Sequence, residues 1–194
     1  MKRALLIVAA LALFAQPAAA GNYQLDKTHT SIGFSVRHMV ISNVKGNFGD
    51  FSGTFAFDEK SGTITDAKAA IKAASINTGV EDRDKHLRSP EFLDVEKYPE
   101  ITFAIKSVKK LAGSGLRATG DITIHGVTKP IELEGEFLGT VKDPWGNNRA
   151  GFTATGKLNR GDFGLKWNKV LESGGLVVGE EVKISLEFEG IMQK

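Results

Sequence analysis

Apolar and polar residues alternate along most of this chain. Ile32, Phe34 and Val36 alternate with Ser31, Gly33 and Ser35. Phe51, Gly53, Phe55 and Phe57 form a second such set, and Ala67, Ala69, Ile71 and Ala73 a third. Ile101, Phe103 and Ile105 make the fourth; Ala118, Gly120, Ile122 and Ile124 the fifth. Ile131, Leu133, Gly135 and Phe137 follow, opposed by Glu132, Glu134 and Glu136. The seventh set is Ala150, Phe152, Ala154, Gly156 and Leu158, and the eighth Val182, Ile184, Leu186 and Phe188. A period of two marks strands with one buried face.

Turn residues separate several of the runs. Asp58–Gly62 closes the second onto the third, Gly113–Gly115 follows the fourth, and Asp143–Asn147 follows the sixth. The segment His125–Pro130 links the fifth run to the sixth. Short links favour antiparallel neighbours. The pattern predicts an all-β fold: an eight-stranded antiparallel closed barrel, with a two-sheet sandwich as the alternative. A membrane-spanning barrel needs an apolar outer face, whereas the polar face here is densely charged, so the apolar face points inward.

Between the third and fourth runs the pattern changes. Glu81–Arg88 (EDRDKHLR) reads as a short helix with acids near its start and bases near its end, which complements the helix dipole. Glu81 with Lys85 and Asp84 with Arg88 are i,i+4 pairs of the better orientation. Pro90 ends the helix, Phe92, Leu93 and Val95 offer apolar anchors, and Tyr98-Pro99 leads into the fourth strand. The expected role is a helical lid or plug over one end of the barrel.

The interior mixes rings with small residues. Alternation alone leaves two readings open: a filled core, or a hollow lined by aromatic walls. In the hollow case the ligand contacts are Phe34, Val36, Phe55, Phe57, Ala69, Ile71, Phe103, Ile105, Ile122, Phe152 and Ala154, with Trp167 walling one end. A charged headgroup would meet Arg37, His38, Arg83, His86, Arg88 or Arg160 at the rim, groups that also suit local ion pairing.

Composition changes this picture in three ways. Residues 1–20 carry Lys2 and Arg3, an apolar run from Ala4 to Phe14, and an Ala18-Ala19-Ala20 cleavage site. That is the pattern of a secretory signal peptide, and it predicts a periplasmic protein formed by residues 21–194. Lys2 and Arg3 also account for the excess of 25 basic over 23 acidic side chains. The remainder is neutral, which gives no support to a nucleic-acid partner and is compatible with a homodimer. There is no cysteine, hence no disulfide and no thiol to be lipidated. The four histidines show no metal-ligand spacing, and no nucleophile or phosphate-loop motif is present. No reaction, metal or cofactor is assigned; the one catalytic alternative is a rim cluster of His29, Arg37, Arg83 and His86.

One set of motifs is more specific. Arg83-Asp84-x-His86-Leu87, Phe92, Tyr98-Pro99 and Phe103 stand together with Asp26-x-x-His29-Thr30-x-Ile32-x-Phe34, Arg37-His38, Gly46-x-Phe48 and Phe51-Ser52-Gly53. Ile76-Asn77-Thr78-Gly79, Gly120–Val127 and Asn159-Arg160-x-Asp162-Phe163-Gly164 complete the set. In order and spacing these resemble the YceI-like family across nearly all of residues 21–194. Leu93 stands where that family often has a second aromatic residue, and Ile122 where it often has leucine. The resemblance implies a periplasmic lipocalin-like barrel whose apolar tunnel binds polyisoprenoid or other long lipid chains. It implies a binder, not an enzyme. The ligand-free alternative is a filled structural or stress-response barrel.

Overall fold

The computed structural model describes residues 20–172 and 174–194. The signal-peptide expectation lies, except for Ala20, outside the described residues. Eleven strands run in chain order: β1 Gly21–Leu25, β2 Ser31–His38, β3 Ser42–Phe48, β4 Phe51–Asp58, β5 Thr63–Lys72, β6 Ile76–Asn77, β7 Glu100–Lys110, β8 Gly115–Ile124, β9 Val127–Lys142, β10 Asn148–Asn159 and β11 Val178–Met192. One α-helix, α1, spans Glu81–Arg88 between β6 and β7.

All eight expected strands are present, and the fold is a closed eight-stranded antiparallel barrel; seven of the eight close together with β1, while the first, β2, lies alongside β11 outside that ring. The closing ring runs β1-β4-β5-β7-β8-β9-β10-β11, and β1 pairs back onto β11. The alternation missed β1, β3 and β6. In β1 only Tyr23 is buried, β6 has two residues, and Gly46 interrupts the apolar side of β3. The turn after β8 is also shorter than expected. His125 and Gly126 both have positive φ (51° and 74°), so a two-residue turn pairs Ile124 with Val127. Two such residues match the twist of a tight hairpin.

The long strand β11 has two successive neighbours. Its C-terminal part pairs with β1 and its N-terminal part with β2, which continues the wall through β3 to β6. Chain links tie Gly49 to Ser75 and Lys72 to Asp50 at the β3–β4 corner. Away from that corner, no ladder joins β3 to β4 among the described residues. The wall therefore has a seam.

The core is divided along the barrel axis. At one end Tyr23, Phe55, Phe57, Ile64, Leu116, Ala150 and Phe152 form a buried cluster. Phe152 sits at its middle, with ring centroids of Phe55, Phe57, Phe137 and Phe188 at 5.5, 5.1, 5.2 and 5.2 Å. At the other end Ala73, Ile76, Leu93, Ile101, Ile122, Ile124, Ile131, Leu133 and Phe163 form a second cluster beneath the helical segment.

A charge network locks the aromatic end. Arg149 donates from Nη1 to Asp26 Oδ2 at 2.7 Å and to Glu189, and from Nε to Asp143 Oδ2 at 2.7 Å. It thereby joins the loop after β1, the β9–β10 turn and β11. Its own pKa is raised by Asp143, Asp26 and Glu189. The Thr28 hydroxyl, followed by His29 and Arg149, holds Asp26 well below its ordinary 3.8. Burial opposes ionisation of Asp143, yet Arg149 and Asn147 hold it well below the same value. A carboxyl with a depressed folded pKa adds stability that is complete above its unfolded pKa and disappears as pH falls through the folded one. The expected outcome is a melting temperature that declines as pH falls below about 4. Arg149→Met should lower it by several degrees at neutral pH and flatten that acid-side slope; thermal melts across the acid range measure both.

Candidate functional site: an apolar cavity under a helical lid

Whether the barrel is filled or hollow is decided by side-chain exposure. Inward residues of a filled barrel are buried, as Phe55, Phe57 and Phe152 are. Ile32, Phe34, Val36, Ala69, Ile71, Phe103, Ile105, Ile184 and Leu186 also point inward but are only half-buried. They face a cavity of about 320 Å³ whose lining is almost wholly apolar. That volume lies in the usual range for small-molecule sites.

Glycines let the rings lie back against the wall. Phe34 is paired with Gly46, and a Cβ on Gly46 would sit 2.4 Å from the Phe34 ring. A Cβ on Gly120 would sit 2.6 Å from the ring of Phe103. At both positions the missing side chain is the seat of an aromatic ring. The alanines at 67, 69, 118 and 154 leave further room.

Of the twelve residues expected to touch a ligand, ten line the cavity: Phe34, Val36, Phe55, Ala69, Ile71, Phe103, Ile105, Ile122, Phe152 and Ala154. Phe57 and Trp167 do not. Phe57 lies beyond Phe55 in the aromatic end, 4.9 Å from the Phe137 ring and fully buried. Trp167 packs on the outside of the lid, against His86 and Phe92 at 4.9 and 5.1 Å. Alternation assigns a face but not a depth, so it does not separate Phe57 from the cavity walls.

The lid contributes Leu87, Phe92 and Leu93 to the cavity. Its charges hold it to the barrel. Asp84 is buried and accepts from the backbone N–H and hydroxyl of Thr78 at 2.9 and 2.6 Å. Arg83 donates to the Thr78 hydroxyl and carbonyl at 2.8 and 3.0 Å. Arg88 donates to the carbonyls of Ala74 and Ile76, both at 2.7 Å. The expected Asp84–Arg88 pair therefore does not form: the chain from Ala74 to Thr78 supplies better-placed partners to each. Glu81 and Lys85 do pair, at 2.9 Å. His86 contacts Glu91 at 2.6 Å.

Among the expected rim cations only Arg160 lines the cavity. It is buried, and its guanidinium donates to the carbonyls of Gly179, Leu165 and Trp167 at 2.9, 2.5 and 2.9 Å. Burial lowers its pKa, with Glu180 at 4.0 Å opposing the shift. Its hydrogen-bond partners are neutral carbonyls, and the half-exposed Glu180 carboxylate at 4.0 Å offsets part of its charge at the lidded end. Arg37 is exposed and His38 half-buried, where β2 leaves the wall. Arg83 and His86 are engaged in the lid.

The rim cluster of His29, Arg37, Arg83 and His86 does not assemble. His29 lies at the aromatic end, its Nδ1 2.8 Å from Asp26 Oδ2, while His86 sits in the lid. Asp26, His29 and Glu189 place ligand atoms within 4.8 Å of one another, but the Arg149 guanidinium already lies on both carboxylates. His125 Nδ1 faces the Phe163 carbonyl at 3.2 Å and its ring packs on Tyr98.

Comparison with known proteins agrees with this architecture. The YceI-like domain model matches residues 23–190. Protein YceI of Escherichia coli O17:K52:H18 is 42% identical, with all of both chains covered. The crystal structure of a Campylobacter jejuni YCEI protein is 36% identical and matches with a TM-score of 0.71, covering 88% of this chain and 97% of that one. A polyisoprenoid binding domain from Saccharophagus degradans has the same fold at a TM-score of 0.64 and 17% identity, covering 88% of this chain and 98% of that one. With matching motifs, a matching barrel and full-length relatives, the chain belongs to the YceI-like family.

Proposed function

We propose that this protein is a non-enzymatic binder and carrier of a long-chain lipid, acting in the periplasm after removal of residues 1–20. The candidate cargoes are a polyprenyl phosphate, an isoprenoid quinone or a fatty-acid derivative. The observation that carries the reading is the hollow half of the barrel, where half-buried aliphatic and aromatic walls surround about 320 Å³ of apolar space. Unfilled apolar surface forfeits contact energy that packing would recover, so a folded protein that keeps it has a use for it. The name of the Saccharophagus degradans domain adds support from the same fold.

The energetics favour a chain over a compact polar ligand. Each buried methylene contributes about 0.8 kcal/mol, so a five-carbon isoprene unit gains on the order of 4 kcal/mol gross. Ordering of the chain offsets part of this. Affinity then grows with chain length and needs few polar contacts. Arg160 would select for a headgroup with negative or carbonyl oxygen at the lidded end.

Native mass spectrometry of exported protein purified without detergent should show a bound lipid mass, and delipidated protein should take up an apolar fluorescent probe. Absence of both would sink the proposal. Ala69 faces the cavity between Gly53 and Phe103. Ala69→Phe should weaken probe binding by at least about tenfold while the melt stays cooperative. Unchanged affinity would mean that the cargo lies elsewhere. Gly46→Ala should act differently: a methyl group 2.4 Å from the Phe34 ring and 2.9 Å from the Asn77 carbonyl displaces that ring into the hollow. The expected result is both weaker probe binding and a stability loss of about 1–3 kcal/mol, read from denaturant melts.

A further inference from the structure

Two chain segments meet outside the lidded end of the cavity, and both expose apolar side chains. One is the turn Met39–Ile41 between β2 and β3, the other the loop that follows Trp167 and returns to β11. Val40, Ile41 and Val170 are 64%, 84% and 75% exposed. Met39 and Leu176 are also exposed. The Met39 N–H donates to the Val177 carbonyl at 2.8 Å, and the Val177 N–H to the Lys169 carbonyl at 3.0 Å. Gly175 lies against Val40, so that a Cβ added there would come 3.3 Å from its Cγ2. The tips therefore form one surface.

The backbone of the first tip gives an independent signal. Met39 and Val40 adopt φ of 49° and 66°. This left-handed region suits glycine and asparagine, and a β-branched residue least of all. Asn-Gly would relieve the strain and remove the apolar exposure together. The chain instead holds valine there, in water. Strain combined with exposed bulk at a loop tip points to a contact made by that tip.

Charge and position narrow the partner. Arg37, Lys166 and Lys169 are exposed beside the tips and make no ion pair among the described residues; Glu172 is the acid within the loop. Apolar tips flanked by cations match an anionic bilayer, whose headgroups attract the cations while the tips enter the acyl boundary. The surface is continuous with the cavity: Val36, two residues before His38, and Val178, the residue paired with His38, both line it.

We propose that the Met39–Ile41 turn and the bridged residues Val170 and Leu176 form a docking surface for an anionic lipid bilayer, placing the lidded end of the cavity against the source or destination of its cargo. The proposal rests on the lipid-carrier reading for its purpose, and its test is separable from it. In flotation assays the full mature protein should bind vesicles of phosphatidylcholine containing about 30% phosphatidylglycerol, bind pure phosphatidylcholine more weakly, and be released as salt rises to about 0.5 M. Val40→Asp with Val170→Asp should reduce vesicle binding on the order of tenfold, and Lys166→Glu with Lys169→Glu should reduce the anionic-lipid preference. Neither pair should change apolar-probe uptake, which monitors fold and cavity. Trp145→Asp, at an exposed tip of the aromatic end, should change neither readout. Vesicle binding lost in Trp145→Asp, or unaffected by both tip pairs, overturns the proposal. So does sedimentation showing that the tips join two copies of the chain while vesicles remain unbound. In each of those cases retained probe uptake leaves the carrier reading standing.

Discussion

A barrel that is hollow at one end must obtain its cohesion at the other. Here that cohesion centres on Phe152, which is 1% exposed and makes ring contacts with Phe55, Phe57, Phe137 and Phe188. Edge-to-face and offset rings bury large apolar areas and hold one another in fixed orientations. The strands that carry these rings are β4, β9, β10 and β11, so the cluster spans the barrel from wall to wall. Arg149 fastens the outside of the same end through three carboxylates. With this end packed, the remaining length of wall need not collapse inward.

The lidded end works by a different principle. Its helix is too short to be stable alone, and its charged groups compensate by reaching across to the backbone of residues 74–78. Arg83, Asp84 and Arg88 each bind main-chain groups or Thr78. The lid is thus positioned by fixed backbone partners, while its apolar residues Leu87, Phe92 and Leu93 face the space beneath. Arg160 completes that end by binding carbonyls of the chain that returns to β11.

Much of this was legible in the sequence because one buried face per strand imposes a period of two. All eight alternating runs are strands, and ten of the twelve expected wall residues line the cavity. The failures have physical causes. β3 was hidden because Gly46, a seat for Phe34, removes the apolar signal where alternation would show it. Phe57 was assigned correctly to the inner face but sits too deep along the axis. Trp167 belongs to an irregular segment with no period to read. Arg83 and His86 read as available for a headgroup because a sequence does not reveal that Arg83 meets the Thr78 carbonyl or that His86 meets Glu91 and Trp167. Whether the barrel was filled depended on how far rings lean onto glycines, and only coordinates give that.

The seam between β3 and β4 has a mechanical consequence. A fully laddered cylinder behaves like a hoop: widening it by an ångström stretches or breaks hydrogen bonds all the way round. Here the hoop is complete at the aromatic end, where β1 joins β4 to β11, but beyond β1 no rung spans β3 and β4 outside the Gly49–Asp50 corner among the described residues. Widening the bore along that line strains side-chain contacts, among them the Phe34–Phe48 pair, and the few backbone links around the corner. Girth there is set more by side-chain packing than by backbone, so the lidded half of the bore is more compliant than the laddered aromatic end.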